Sequence, residues 1–226
     1  MKLWRLYKAF PWLEYRHRVI AGLPSNASLL EIGSSNCDRA KLFKVIRPDL
    51  KVFATDIKDF SREAGSDIVF FISDVTQGLP SELNGQFDCV TTMHLLEHLT
   101  TDSYDAVVAA IHCVLKPGGV WYIETPSTRS TWFPSFTLGL RKYHCPINFY
   151  DDPSHVKPFS KSGLFYLLVD RGFVVRRVGI ARNLLFAMLS PVLILAGLLF
   201  RQRLWFGIGL GNLFGWSVFA HGTKPR

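Results

Sequence analysis

The chain has 226 residues, of which 48% are apolar and 19% are charged, so it is long enough to bury one core and too apolar for a disordered or collagen-like protein. Its four cysteines are scattered without a C-x-x-C pair, which excludes a disulfide scaffold and a cysteine-only zinc site. The net charge of +8 is unevenly distributed. Residues 1–28 hold five Lys or Arg and one acidic residue, and residues 181–226 hold five Lys or Arg and no acidic residue. Residues 29–180 between them are nearly neutral. This distribution argues against nucleic acid as a partner, whereas basic ends rich in Trp, Phe and Leu favour an anionic membrane surface.

The first segment, residues 1–27, interleaves basic and aromatic residues. It has no uninterrupted apolar stretch and no small-residue cleavage site, so it is not predicted to be a signal peptide. Trp4, Tyr7, Phe10 and Trp12 would line a short helix. That helix could lie at a membrane interface or cap the domain, and the sequence leaves both possibilities open.

Residues 28–182 alternate between strand-like and helix-like patterns, which predicts an α/β fold with a mostly parallel sheet covered by helices on both faces. The predicted strands are 28–32, 51–55, 67–72, 87–92, 120–124 and 173–178, and the predicted helices are 39–46, 103–115 and 161–170. In such sheets, ligands bind at the carboxyl ends of the strands.

The stretch that follows is strongly apolar. Residues 183–200 are 18 uncharged residues spanning about 27 Å as a helix, which is marginal for a hydrocarbon core of about 30 Å. Pro191 should kink this helix, and a hairpin through the bilayer would place Arg201 and Arg203 on the far side, against the positive-inside tendency. We therefore predict a kinked helical pair over residues 183–213 that dips into one leaflet. A buried helical lid or a dimer surface remains the alternative.

A single glycine, Gly33, follows the first predicted strand, where a tight turn can bring backbone close to a ligand. The dinucleotide fingerprint G-x-G-x-x-G is not met, because Ser35 and Asp38 stand at its other glycine positions. Glu31, two residues before the glycine, would repel a pyrophosphate but suits the cationic amino-acid end of a ligand.

Two more carboxylates follow the next two strands. Asp56 ends the second strand and can accept both ribose hydroxyls of a nucleoside. Asp74 follows the third strand, where an adenine amino group could be recognised. Together with Glu31 they predict a site matched to adenosine joined to an amino acid.

With these residues, the chain resembles the bacterial class I S-adenosylmethionine-dependent methyltransferases. Residues 29–37 look like the first motif of that family, Asp56 like its ribose-binding acid and Asp74-Val75 like its adenine-side pair. Residues 87–99, ending in L-E-H-L, look like the fourth-strand motif, and L-K-P-G-G at 115–119 like the turn before the fifth strand.

The resemblance implies a Rossmann-like sheet of seven strands with the last strand antiparallel, formed here by residues 215–222. It places the hydrophobic helical insertion before that strand, and it implies S-adenosyl-L-methionine as the cofactor. Ser35 and Cys37 depart from the motif, since they replace its second and third glycines. The implied cofactor-binding residues are Glu31, Gly33, Ser35, Asp56, Ile57, Asp74, Val75 and Met93.

Methyl transfer to an oxygen needs alignment and, for a hydroxyl, a base near the end of the fourth strand. His94 and His98 lie there, four residues apart. A second cluster, D-P-x-H-x-x-P-F at 152–159, resembles a loop of family members thought to modify glycans or lipid-linked substrates, and offers Asp152 and His155. The sequence leaves the base open among these four residues, with His144 as a possible assistant.

Glu97 and His98 could also ligate a divalent ion together with His144 or His155. Glu97 is explained equally well as an ion-pair partner, so no metal is predicted.

The sequence thus predicts an S-adenosylmethionine-dependent methyltransferase at the inner face of the cell membrane, in contact with the cytoplasm. Its expected reaction is O-methylation of a lipid-linked glycan, a polyprenyl compound or another membrane-proximal acceptor, with no nucleic-acid partner. The alternatives are a non-catalytic membrane adaptor of the same fold and a nicotinamide-dependent oxidoreductase. The predicted segments are 1–27, a cofactor-binding core at 28–182, the insertion at 183–213 and a last strand with tail at 214–226.

Overall fold

The computed structural model describes residues 3–135 and 147–226, so the predicted role of His144 lies outside the described residues. Within these ranges, seven strands form one sheet in the order β3-β2-β1-β4-β5-β7-β6. The strands are β1 Ser28–Ile32, β2 Lys51–Asp56, β3 Ile68–Ile72, β4 Phe87–Met93, β5 Leu115–Pro126, β6 Val174–Ala181 and β7 Ser217–Thr223. The first five pair in parallel, whereas β7 is antiparallel to both β5 and β6, as predicted.

Helices cover both faces of the sheet. They are α1 Leu3–Ala9, α2 Tyr15–Ala21, α3 Asp38–Ile46, α4 Ser61–Ala64, α5 Thr101–Val114, α6 Lys161–Asp170, α7 Leu184–Leu199 and α8 Arg203–Phe214. One buried cluster joins the strands to Ile111 of α5 and Leu164 of α6, and a second joins them to Ile20 of α2 and Phe43 of α3. The central strands β1 and β4 are buried on both faces because helices cover both faces.

The fifth strand is longer than predicted. It begins at Leu115 rather than at residue 120, because Leu115 pairs with Phe87 ahead of a bulge. The pairing resumes between Cys89 and Val120, so the K-P-G-G turn lies inside the strand instead of before it.

The N-terminal segment is tied to the core and also exposes aromatic rings. Tyr7 is buried, and Tyr15 stacks on Phe219 of β7 with ring centroids 4.5 Å apart. Phe10 and Trp12 are 44% and 53% exposed. The segment therefore caps the domain while leaving two large apolar side chains in solvent.

The insertion between β6 and β7 forms a helical hairpin, α7 and α8, as predicted for the region before the last strand. The first helix continues through Pro191. Small residues let the two helices approach closely, since a Cβ added to Gly197 would lie 2.6 Å from the backbone nitrogen of Phe206. Among the helices of the described ranges, none combines the length and the apolar character required to cross a bilayer.

Candidate active site

The turn after β1 is built around Gly33. This residue has φ of +73°, and a Cβ added to it would lie 3.2 Å from Cδ1 of Leu95 in the loop after β4. Its backbone N–H donates to the carbonyl oxygen of Thr55, which pins the turn across the end of β2. Ser35 and Cys37 also have positive φ, of 47° and 59°. The two motif glycines that the sequence lacks are therefore at positions where the backbone favours glycine.

Asp56 lies at the carboxyl end of β2, beside this turn. Its Oδ2 accepts a hydrogen bond of 2.8 Å from the backbone N–H of Ser35, and its Oδ1 accepts one of 3.1 Å from that of Lys58. Each oxygen keeps a lone pair that can accept a ribose hydroxyl. The next residue, Ile57, is 65% exposed and presents an apolar surface that suits the face of a base.

Asp74 follows β3 and caps the short helical turn Val75–Gln77. Its Oδ1 accepts hydrogen bonds from the backbone N–H and the hydroxyl of Thr76, at 3.0 and 2.7 Å. Val75 is buried below it. Asp74 thus has a structural task, and its predicted contact with adenine stays a prediction.

Glu31 is more deeply buried than expected of a ligand-binding carboxylate at a strand end. It is the fourth of five residues in the central strand β1, and its side chain is fully buried. Neither carboxylate oxygen makes a regular hydrogen bond to the described residues, and the nearest cation is Nη1 of Arg39 at 3.8 Å. Burial raises the pKa of Glu31 to about 7, although Arg39 opposes the shift. Its predicted contact with the cofactor stays a prediction.

His94 follows Met93, the last residue of β4, and lies between the Gly33 turn and the end of β5. Its φ is +57°, and its backbone N–H donates to the carbonyl oxygen of Glu124. The ring Nδ1 lies 3.2 Å from Oε1 of Glu97, and the other oxygen of this buried carboxylate accepts a 3.0 Å hydrogen bond from the Thr125 hydroxyl. Burial opposes ionisation of Glu97, but the hydrogen bond with His94 and the electrostatic effect of that ring outweigh it, so the pKa of Glu97 is below its ordinary value. A charged carboxylate therefore orients the His94 ring.

The other predicted catalytic residues also meet at this end of the sheet. The rings of His98 and His155 have centroids 4.9 Å apart, although the two residues belong to different loops. His155 Nδ1 lies 2.7 Å from the carbonyl oxygen of Phe149, and its Nε2 lies 3.8 Å from Oδ2 of Asp152. The structure thus brings His94, His98, Asp152 and His155 to one cavity, and which of them acts as the base stays a prediction.

These four residues line a cavity of about 560 Å³. The insertion also lines this cavity, with Phe186 of α7 and Gly207 and Ile208 of α8. Gly33, Asp56 and Asp74 lie outside the cavity lining. The predicted cofactor residues Gly33, Asp56 and Asp74 are therefore separate from the residues of the cavity, which include His94.

Sequence reasoning missed a polar network in the cavity. Arg16 contacts Glu14, and its Nη1 lies 3.4 Å from Oε1 of Glu124, whose Oε2 accepts a 3.0 Å hydrogen bond from Tyr122. Asn183 at the start of α7 donates to Oε1 of Glu14 at 2.8 Å. Glu124 could have been noticed as a carboxylate at a strand end, and Glu14 as the single acid of residues 1–28.

A family model for the methyltransferase domain matches residues 4–178, most of the chain. The chain therefore belongs to the methyltransferase-domain family. No curated protein matches the sequence.

Solved structures show the same fold. A methyltransferase from Haloferax volcanii, solved with the Trm112 methyltransferase activator, is 15% identical with a TM-score of 0.68, over 99% of this chain and 94% of the other. An S-adenosylmethionine-dependent methyltransferase from Archaeoglobus fulgidus is 20% identical with a TM-score of 0.62, over 98% and 94%. Phosphoethanolamine N-methyltransferase 2 from Haemonchus contortus, solved with S-adenosyl-L-methionine, is 15% identical with a TM-score of 0.60, over 92% of this chain and 51% of the other.

Family membership confirms the predictions of a methyltransferase enzyme that uses S-adenosylmethionine. The structure fits this cofactor, since a positive-φ glycine turn adjoins Asp56 and the exposed Ile57. When bound, the cofactor supplies an electrophilic methyl group. A nicotinamide oxidoreductase and a non-catalytic adaptor, the two alternatives, do not agree with this assignment.

Proposed function

We propose that this methyltransferase acts on an acceptor held at a membrane surface, such as a lipid-linked glycan or a polyprenyl compound, and methylates an oxygen of it. The observation that carries the proposal is the two-sided role of the α7–α8 hairpin. One side of the hairpin lines the cavity, and the other exposes large apolar side chains.

The exposed side of α7 is a continuous apolar stripe. Met188, Val192, Leu195 and Leu199 are spaced four, three and four residues apart, so they lie on one face, and they are 58–81% exposed. The second helix adds Leu204, Trp205, Leu213 and Phe214 to the exposed apolar side chains. Contiguous apolar surface of this kind on a folded domain marks contact with a membrane or a partner.

The N-terminal segment supports membrane contact over contact with a protein. Asn183, the cap of α7, donates to the Tyr7 hydroxyl at 3.1 Å, so the hairpin and the N-terminal segment touch each other. The segment exposes Phe10 and Trp12, and the hairpin tip carries the exposed Arg201. Aromatic and basic residues around an apolar face are typical of helices that lie in the interface of an anionic membrane.

The residues that line the cavity suit an acceptor with a hydroxyl group. His94 is the residue best placed to take the proton, because Glu97 orients its ring and the Gly33 turn lies next to it. The acceptor oxygen would form a bond to the methyl carbon as the carbon–sulfur bond breaks, and the hydroxyl proton would pass to His94.

Flotation with vesicles of equimolar phosphatidylglycerol and phosphatidylcholine tests membrane contact. We expect the full chain to float, and we expect the double variant Val192→Asp, Leu195→Asp to remain at the bottom of the gradient. The matched control replaces two exposed apolar residues of α6, Tyr166→Asp and Val169→Asp, and should float like the natural chain. Equal flotation of all three proteins would contradict the proposal.

The acceptor class is tested with a radioactive methyl group on the cofactor and a total membrane extract as substrate. We expect the label in the fraction that partitions into organic solvent. Recovery of the label in protein or nucleic acid alone would argue against a lipid-linked acceptor.

A further inference from the structure

We propose that Glu97, His98 and His155 form a binding site for a divalent transition-metal ion in the wall of the cavity. Each offers one ligand atom, and the three atoms lie within 4.8 Å of one another. Metal–ligand bonds are about 2.0–2.2 Å long, so only a small inward movement is needed for one ion to reach all three. This site does not rest on the proposed acceptor or on membrane contact.

The hydrogen bonds of both histidines leave Nε2 as the free ligand atom. His155 Nδ1 lies 2.7 Å from the carbonyl oxygen of Phe149, which can only accept, so Nδ1 carries the proton. His98 Nδ1 lies 3.2 Å from the carbonyl oxygen of Ser154 and 3.0 Å from its hydroxyl. Because that hydroxyl donates to Asp152 at 2.6 Å, His98 Nδ1 is again the donor.

Both rings are therefore fixed in the tautomer in which a neutral Nε2 can bind a metal. Donation from the second ring nitrogen to a backbone oxygen is the usual arrangement behind a metal-binding histidine.

Hydrogen bonds also fix the Glu97 carboxylate in an orientation that can bind a metal. Its carboxylate is fully buried and held by Thr125 and His94, one on each oxygen, and each oxygen keeps a lone pair. The backbone joins the two loops that supply the ligands, because the carbonyl oxygen of Glu97 accepts a 2.7 Å hydrogen bond from the N–H of Val156. The site is thus connected by the main chain and not only by side chains.

Two imidazole nitrogens and one carboxylate oxygen suit Zn²⁺, Co²⁺, Mn²⁺ or Fe²⁺ better than Mg²⁺ or Ca²⁺, which prefer oxygen ligands. Three protein ligands leave at least one coordination position, and all three ligand residues line the cavity. An ion there would bind an oxygen of the acceptor and lower the pKa of an acceptor hydroxyl.

The test uses the full chain after removal of metals with a chelator. Calorimetric titration with Zn²⁺ should give one site in the natural chain. We expect His98→Ala and His155→Ala each to weaken this binding by about tenfold or more, since each removes a ligand. The matched control is His112→Ala on α5, which removes a histidine outside the cluster and should leave Zn²⁺ binding unchanged.

A second readout does not depend on variants. Co²⁺ bound to two imidazoles and a carboxylate in a site of low coordination number absorbs visible light far more strongly than aqueous Co²⁺. We expect that spectrum from the natural chain with one equivalent of Co²⁺. Zn²⁺ binding that is equally tight in both histidine variants, or a Co²⁺ spectrum like that of the aqueous ion, would overturn the proposal. Neither titration contains lipid or acceptor, so neither result bears on the proposed function.

Discussion

Asp56 holds its two carboxylate oxygens against two backbone N–H groups and presents the remaining lone pairs beside the Gly33 turn. We expect Asp56→Ala to weaken S-adenosylmethionine binding by on the order of tenfold or more, because hydrogen bonds to a charged group are each worth about 1.5–3 kcal/mol. Calorimetry with the cofactor measures this. Asp59→Ala is the matched control, since Asp59 is an exposed acid of the same loop that accepts from Ser61. Equal losses in the two variants would remove the assigned role of Asp56.

Glu31 makes cofactor binding depend on pH if its carboxylate meets the cationic amino group. Burial raises its pKa to about 7 in the free protein, so below that pH it is mostly protonated. An amino group nearby favours the ionised form, so binding would release a proton. We therefore expect the affinity to rise as the pH increases toward 7 and to level off above it. Calorimetry across this range should show the dependence in the natural chain and lose it in Glu31→Gln.

The same residue links pH to stability. A carboxyl with a folded pKa of about 7 and an ordinary pKa near 4.5 binds more protons in the folded state between those values. The stability contribution is thus complete below about pH 4.5 and is lost as the pH rises toward 7. We expect Glu31→Gln to raise the free energy of unfolding at pH 8 by roughly 2–4 kcal/mol, measured with urea. A variant no more stable than the natural chain at pH 8 would show that Glu31 is not held in an unfavourable charged state.

For single residues, the sequence predicted the location correctly where a side chain lies directly at the end of a strand. Asp56 was expected at a strand end and lies there, because the carboxyl ends of parallel strands share one edge. The burial of Glu31 was not predictable, since it depends on which elements pack against β1. The contact of Arg16 with Glu124 was also beyond the sequence, because it joins residues 108 apart.

For secondary-structure elements, the helical hairpin shows that helices can be predicted from the sequence while their packing cannot. Its two helices were predictable from long apolar runs, but the close packing of α7 on α8 depends on which residues of the partner helix each glycine faces. A Cβ on Gly209 would lie 2.8 Å from Cγ1 of Ile194, and one on Gly197 would meet backbone of α8. The early start of β5 was likewise missed, since only the partner strand reveals that Leu115 pairs with Phe87.

Gly197 provides the test of this packing. We expect Gly197→Val to lower the free energy of unfolding by about 1–3 kcal/mol, because the added methyl groups cannot be accommodated without separating the helices. Thermal denaturation followed by circular dichroism measures the change. Leu195→Ala, an exposed position on the same helix, should change stability by less than about 0.5 kcal/mol. If the two variants were equally stable, the hairpin would not be closely packed.

In the molecule as a whole, the excess of basic residues and the exposed apolar surface lie in the same two segments of the chain. The basic residues in excess lie in the N-terminal segment and in residues 181–226, which also carry the exposed apolar stripe of the hairpin. The core between them is nearly neutral and holds the residues predicted to bind the cofactor. This arrangement would orient the cavity wall formed by α7 and α8 toward an anionic surface.

Binding to vesicles should therefore have two separable parts. The apolar part should persist on neutral phosphatidylcholine, whereas the electrostatic part should require phosphatidylglycerol. The electrostatic part should also weaken with salt, because at 0.1 M ionic strength charges more than about 10 Å apart are largely screened from each other. We expect Arg201→Glu at the hairpin tip to reduce affinity for anionic vesicles by on the order of tenfold, given about 1 kcal/mol for each basic residue near the surface. Affinity for neutral vesicles should change little. The control is Lys51→Glu, because Lys51 begins β2 at the opposite, amino edge of the sheet. Vesicle sedimentation measures the affinities of the natural chain and of both variants for the two kinds of vesicle. An equal loss from both charge reversals would mean that net charge, rather than the orientation of the hairpin, controls binding.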